Sequence, residues 1–192
     1  MFMTIPQDLA ERRVFSGKLG EVVHVPQPDG RVFERFRRPP GVRIVIVADR
    51  GILLTEEYRE ETGGVDLRLP GGKVFDDYES FAAARATGSM TWAAEEAVLR
   101  EAREEVGLVV TDPELITVAQ AGATVEWDLF YYLVREFTEA VEGAQPEEGE
   151  QIEPVWLTPK EVSEAIQQGR MSEWRSVGVL LGLVLPRAFP ES

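Results

Sequence analysis

Three glutamates in the stretch REAREEVGL, residues 100–108, combine a residue type and a spacing that could do chemistry. On a helix, Glu101, Glu104 and Glu105 lie three and four residues apart, so their carboxylates rise from one face as neighbours. Like charges at that spacing destabilise a bare helix by roughly 0.2–0.5 kcal/mol per pair, so the cluster calls for solvent or a cation. Taken alone, such a helix is an acidic face in water, with Arg100 and Arg103 as ion partners. The glycine turn upstream, Leu69-Pro70-Gly71-Gly72, shifts the balance. Glycine permits close backbone approach to a ligand and leaves a carbonyl able to face an ion. Carboxylates with a carbonyl make a hard oxygen site suited to magnesium or manganese.

Those side chains need elements to hold them. Residues 92–106 carry apolar or small residues at helical spacing and end at Gly107, a C-cap. Upstream, VRIVIVAD and GILLTEEYRE are two strand-like runs around Asp49-Arg50-Gly51, and 67–74 is expected to be a short strand broken by glycines. Residues 14–38 alternate apolar and polar residues around Pro28-Asp29-Gly30, which predicts two or three antiparallel strands. LITVAQAGA and VEWDLFYYLVREF are further strands, and the acidic stretch 142–151 is a surface loop. Thr158 and Pro159 open a helix as N-cap and first residue, and a last helix is expected over 173–185. The result is an α+β chain, with a small N-terminal antiparallel sheet over 1–40 and the main domain over 41–192.

Composition narrows the class. A chain of 192 residues, 44% hydrophobic, can bury one full core and an appendage, which leaves little room for two independent domains. With no cysteine, a disulfide framework, a thiolate metal site and a thiol nucleophile are all excluded, and a cytoplasmic location is expected. The first residues mix acidic and basic side chains ahead of any apolar run, unlike a secretory signal, and no run of ~18 apolar residues suggests a membrane span. A net charge of −14 repels nucleic-acid backbones and anionic membranes, so neither is expected as a partner. An anionic ligand would need a local metal or arginine cluster against that field.

REAREEVGL resembles the second half of the Nudix box, in which Arg-Glu-U-x-Glu-Glu-x-Gly-U follows an upstream glycine and a first glutamate. Arg100, Glu101, Ala102, Glu104, Glu105, Gly107 and Leu108 fit, with alanine a small choice for the aliphatic position. The resemblance implies a Nudix fold, a mixed β-sheet sandwiched between helices. It implies that Glu101, Glu104 and Glu105 bind divalent metal, Mg2+ or Mn2+, that Glu104 and Arg100 act in catalysis, with Arg100 orienting Glu101, and that the Gly71 carbonyl completes the site. The first half departs from the pattern. Gly72 to Arg100 spans 28 positions where about 14 are expected, and counting back from Arg100 reaches Trp92 and not a glutamate. The extra residues fall near 78–91, and Glu79, Glu95 or no residue stands in for the missing acid. An insertion there is expected to shape the substrate pocket or a subunit contact through Phe81, Met90 and Trp92.

The likeness extends to the ADP-ribose pyrophosphatase branch of the family. There a glutamine-tyrosine-arginine motif sits on the second strand of the hairpin, where this chain has Glu57-Tyr58-Arg59, and the resemblance implies that Arg59 contacts a phosphate. Unassisted, Arg59 is a surface arginine paired with Glu56 or Glu60. In that branch a loop glutamate serves as catalytic base or further metal ligand, and the match falls on Glu148 and Glu150, which by themselves are part of a solvated acidic loop. The implied reaction is metal-dependent hydrolysis of ADP-ribose or another nucleoside diphosphate sugar, with Glu148 as base and Glu150 as ligand, in a homodimer paired through the leading strands. Two alternatives stand beside it: another nucleoside diphosphate derivative as substrate, or a weakened domain that only binds a nucleotide sugar. The sole histidine, His24, is read as structural or at the substrate edge, and Trp127, Phe130 and Tyr132 as core aromatics.

Overall fold

The structure, a computed structural model, describes residues 10–60, 62–146 and 151–189. Strands β1 (Arg12–Ser16), β2 (Glu21–Pro26) and β3 (Val32–Arg37) pair antiparallel in chain order, as the alternation in 14–38 predicts. The main sheet is built from β4 (Gly41–Ala48), β5 (Gly51–Arg59), β6 (Gly64–Arg68), β8 (Glu114–Ala119), β10 (Leu129–Val134) and β12 (Ile152–Leu157). Its order is β12-β5-β4-β10-β8, with β6 also on β5. β4 and β10 run parallel while the other pairs are antiparallel, so the sheet is mixed.

Period-two alternation divides this sheet between two cores. Val45 and Val47 of β4, with Leu129, Tyr131 and Leu133 of β10, pack under helix α3 (Pro159–Gln167) and the C-terminal helical segment. Val42, Ile44 and Ile46, with Phe130, Tyr132 and Val134, pack under helix α2 (Met90–Val106). The helix-flanked mixed sheet expected of a Nudix fold is what forms. Small residues at helical spacing, Ala94, Ala97 and Ala102, bring α2 close to the sheet, and Ala102 is fully buried. Gly107 ends α2 at φ 65°, and its N–H reaches the Ala102 and Arg103 carbonyls. Thr158 and Glu161 cap the start of α3 reciprocally. The last helix runs as α4 (Trp174–Val179), a π-helical turn at Leu180–Val184 and α5 (Leu185–Ala188). No helix among the described residues is long and apolar enough to cross a membrane.

Three details differ from the sequence expectations. The strand expected at 67–74 lies at β6, and 69–73 instead run irregularly beside β4: Ile44 N–H donates to the Pro70 carbonyl and Val42 N–H to that of Gly72. Pro70 has no N–H and Gly71 sits at φ 140°, so a regular ladder cannot continue. Residues 108–111 form an additional strand, β7 (Leu108–Thr111), paired with β11 (Glu136–Glu139). The extra segment is a helix, α1 (Tyr78–Thr87), whose N-cap Asp77 accepts from Ser80 N–H at 2.8 Å. Phe81 is buried against Phe75 and Tyr78, while Trp92, expected to pack, is 67% exposed.

The leading sheet takes a fourth strand from far along the chain, β9 (Val125–Glu126), parallel to β3. Arg37, buried in this junction, pairs with Glu11 at 2.6 Å, Glu21 at 2.7 Å and Glu126 at 2.9 Å. Arg85 of α1 reaches the same Glu126 at 3.3 Å, and Tyr78 N–H donates to the Lys18 carbonyl. The inserted helix is therefore tied to the leading sheet at two points, the β1–β2 turn and β9.

Candidate active site

The carboxylate helix and the glycine turn meet in one cleft of about 270 Å³, lined by Gly71, Gly72, Glu101, Glu104, Glu105 and Arg100. The same lining has a cationic part, a wall of guanidinium groups from Arg38, Arg43, Arg59 and Arg68. Gly71 is required here by its backbone: at φ 140°, a Cβ would run into the Val42 carbonyl of β4. A Cβ on Gly72 would fall on the Glu101 carboxylate, so the turn and the helix are in direct contact.

Within the cleft the three glutamates are in different environments. Glu101 and Glu105 are each 8% exposed, at the margin of the stripe that packs α2 on the sheet, whereas the Glu104 side chain is 40% exposed. Arg100 contacts Glu101 at 2.8 Å and Glu104 at 3.2 Å, and it donates to the Lys73 carbonyl at 2.9 Å, consistent with an orienting arginine. Glu105 accepts from Gly71 N–H at 2.7 Å. Burial pushes its carboxyl up to about 8 against that hydrogen bond, and the nearby Glu101 and Glu57 charges add to the rise.

The donor set fits a hard divalent cation by type and charge: all oxygen, with two buried carboxylates that repel one another. Asp76 adds a further carboxylate to the cleft lining. As the side chains stand, no three acidic or histidine groups among the described residues converge on one point. The cause is visible: Arg100 spans Glu101 and Glu104, and Glu105 faces the turn. The Gly71 carbonyl accepts from Arg43 at 3.3 Å and keeps a second lone pair.

The remaining predicted residues distribute as follows. Arg59 lines the cleft and pairs with its neighbour Glu57, not with Glu56 or Glu60. Glu148 and Glu150 lie outside the described residues. Glu79 and Glu95 are exposed and do not line the cleft. His24 pairs across strands with Glu34 at 3.3 Å and is not part of the cleft lining. Phe130 and Tyr132 are core residues, but Trp127 is only half-buried and forms part of the cleft wall.

Sequence reasoning missed Arg38, Arg43, Arg68 and Asp76. Arg43 had a signal, a lone charge inside the apolar run VRIVIV. It is 8% exposed, donates to Glu173 at 2.7 Å and to the Val42 carbonyl at 2.9 Å, and so brings α4 to the cleft floor. Burial alone would raise the Glu173 carboxyl, but Arg43 and Ser176 outweigh it and hold the group low. Asp76 had none beyond its place after the glycine turn.

An acidic helix face and a group of guanidinium groups thus line one cleft beneath a mixed sheet between helices. Residues 91–176 match the family model of the NUDIX domain, and the fold built around them is the Nudix fold. Among solved structures, the chain is similar to one described as the crystal structure of ADP compounds hydrolase. That likeness covers 90% of this chain and 89% of that one, at 22% identity and a TM-score of 0.66. No curated protein matches the chain.

Proposed function

We propose that the protein is a divalent-metal-dependent pyrophosphohydrolase that cleaves ADP-ribose or a related nucleoside diphosphate sugar into a nucleoside monophosphate and a sugar phosphate. The observation that carries this reading is that Glu101, Glu104 and Glu105 line one cleft with Gly71 and Gly72, together with arginines suited to phosphate oxygens. The similar solved structure is described as acting on ADP compounds, which favours the substrate class.

Glu101, Glu104, Glu105 and the Gly71 carbonyl are the residues that would hold magnesium or manganese, with Glu150 as a further ligand. When bound, the cation neutralises pyrophosphate oxygens and lowers the pKa of an attacking water. Arg100 fixes the Glu101 carboxylate, and Arg59 donates to a phosphate oxygen. Glu148 accepts the proton of the attacking water. Gln145, ahead of the acidic loop in the chain, donates its N–H to the Glu104 carbonyl at 2.8 Å, which supports this reading. A homodimer paired through the leading strands and a cytoplasmic setting belong to the same reading.

A substrate panel with product identification separates the possibilities. ADP-ribose, GDP-mannose and a dinucleoside polyphosphate are each incubated with magnesium, and products are resolved by chromatography. Preferred release of AMP from ADP-ribose is expected. Preference for either of the others reassigns the substrate, and no turnover of any reduces the protein to a binding module.

A further inference from the structure

The cleft holds five guanidinium groups, and four of them are already matched. Arg43 holds Glu173, Arg59 holds Glu57, Arg68 holds Asp66, and Arg100 holds Glu101 and Glu104. Arg38 holds no carboxylate among the described residues, and its Nε is buried without a hydrogen-bond partner. Instead its guanidinium lies 4.4 Å from the ring centre of Trp127, and that of Arg175 lies 4.2 Å from the same centre.

Two like charges on one indole are mutually unfavourable. Burial, then Arg175, lowers the pKa of Arg38, the direction expected of a cation short of negative charge. Arg175 is compensated by Glu173 at 3.4 Å and fixed by the Trp127 carbonyl at 2.9 Å. Among the described residues nothing comparable compensates Arg38, yet it is held in place. Its backbone N–H donates to the Glu126 carbonyl at 3.1 Å, Pro39 and Pro40 follow it, and the Trp127 ring supports its side chain. A preorganised, partly desolvated guanidinium open to a cleft is suited to accepting an anion, because little ordering remains to be done on binding.

We propose that Arg38, supported on Trp127 beside Arg175, is an anion subsite of the cleft that takes a phosphoryl group of the ligand independently of any metal on the α2 carboxylates. The proposal rests on the reading of the cleft as a pyrophosphate site and adds the residue that selects for the second charged group. Arg38 contacts the phosphoryl oxygens through its Nη groups; Trp127 and Arg175 position it.

The test is calorimetric titration of inorganic pyrophosphate, AMP and adenosine into the full chain with chelator present. Wild type, Arg38→Gln, Arg38→Lys and Arg187→Gln are compared, the last removing the same charge outside the cleft. Wild type is expected to bind pyrophosphate and AMP more tightly than adenosine, with a Kd that rises with salt. Arg38→Gln loses at least tenfold for both anions and nothing for adenosine, Arg38→Lys falls between, and Arg187→Gln resembles wild type. Equal anion affinity in wild type and Arg38→Gln, each folded by circular dichroism, overturns the subsite, as does no anion binding by the metal-free wild type. Anion binding that follows Arg38 in a protein that hydrolyses nothing sustains the subsite and removes the enzymatic reading, so the two failures are distinct.

Discussion

Glu105 is 8% exposed, receives one backbone N–H, and sits near two other carboxylates, so its negative charge is poorly accommodated until a cation arrives. Its carboxyl, pushed up to about 8 from an ordinary value of 4.5, keeps a proton at neutral pH in the metal-free protein. A folded value above the unfolded one means that the stability it contributes is present below pH 4.5 and is lost as pH rises to about 8, beyond which it stays flat. Thermal unfolding in chelator should therefore show a melting temperature that falls across that window. Glu105→Gln should flatten the fall and raise the metal-free melting temperature at pH 8 by a few degrees; an unchanged slope in the variant would place the titration elsewhere. With magnesium, the same variant should lose turnover by at least about a hundredfold, the upper end of what loss of an outer metal partner costs. Glu104→Gln should lose activity similarly with little change in stability, since its side chain is 40% exposed. Glu79 supplies the contrast: exposed on α1 and absent from the cleft, it should tolerate glutamine with turnover within about twofold. A Glu79→Gln loss as deep as that of Glu105→Gln would mean that the displaced box acid lies there after all.

At the scale of elements, α1 joins three parts of the chain. Its cap residue precedes it, its N-terminal backbone reaches Lys18, and Arg85 reaches Glu126 beside the cleft-lining Trp127. Phe81→Ala should cost about 3 kcal/mol by chemical denaturation, the usual penalty for emptying a buried phenylalanine site. It should also raise KM for the nucleotide substrate more than it weakens metal affinity, because α1 does not carry the α2 carboxylates; equal losses in both would show the helix supporting the metal residues instead. Much of this level was legible in the sequence. The spacing of Ala94, Ala97 and Ala102 before Gly107 marked α2, and Thr158-Pro159 marked α3, because each signal is local to a few residues. The helix at 78–87 was only half-legible, as its alanine run favours helix but its packing partners, Phe75 and Lys18, are set by the tertiary fold. The strand at 64–68 was displaced in the expectation for a similar reason: LRLPGGKV has strand-like residues, yet Pro70 and Gly71 prevent a ladder. Of the guanidinium wall only Arg59 was legible, through its motif, since Arg38, Arg43 and Arg68 join it only when the end of β3, β4 and β6 are brought beside β5.

For the whole molecule, Phe15, Val32 and Phe36 share one face of the leading sheet and are between 37% and 59% exposed, apolar surface that the proposed homodimer would cover. Light scattering at micromolar concentration should give twice the chain mass of 21.5 kDa, and Phe15→Glu should shift it to the monomer. A wild-type monomer that remains active would contradict the pairing. The net charge of −14 makes the cationic wall of the cleft a local exception, so binding of an anionic ligand there should weaken with salt less than it would on an open surface. The central claim, metal-dependent cleavage of a nucleoside diphosphate sugar by the α2 carboxylate site, is tested most directly by incubating ADP-ribose with the wild-type protein, with magnesium or with chelator, and identifying the products. Release of AMP and ribose 5-phosphate with magnesium, abolished by chelator, is the predicted result; equal product formation in chelator, or none with either magnesium or manganese, would contradict it.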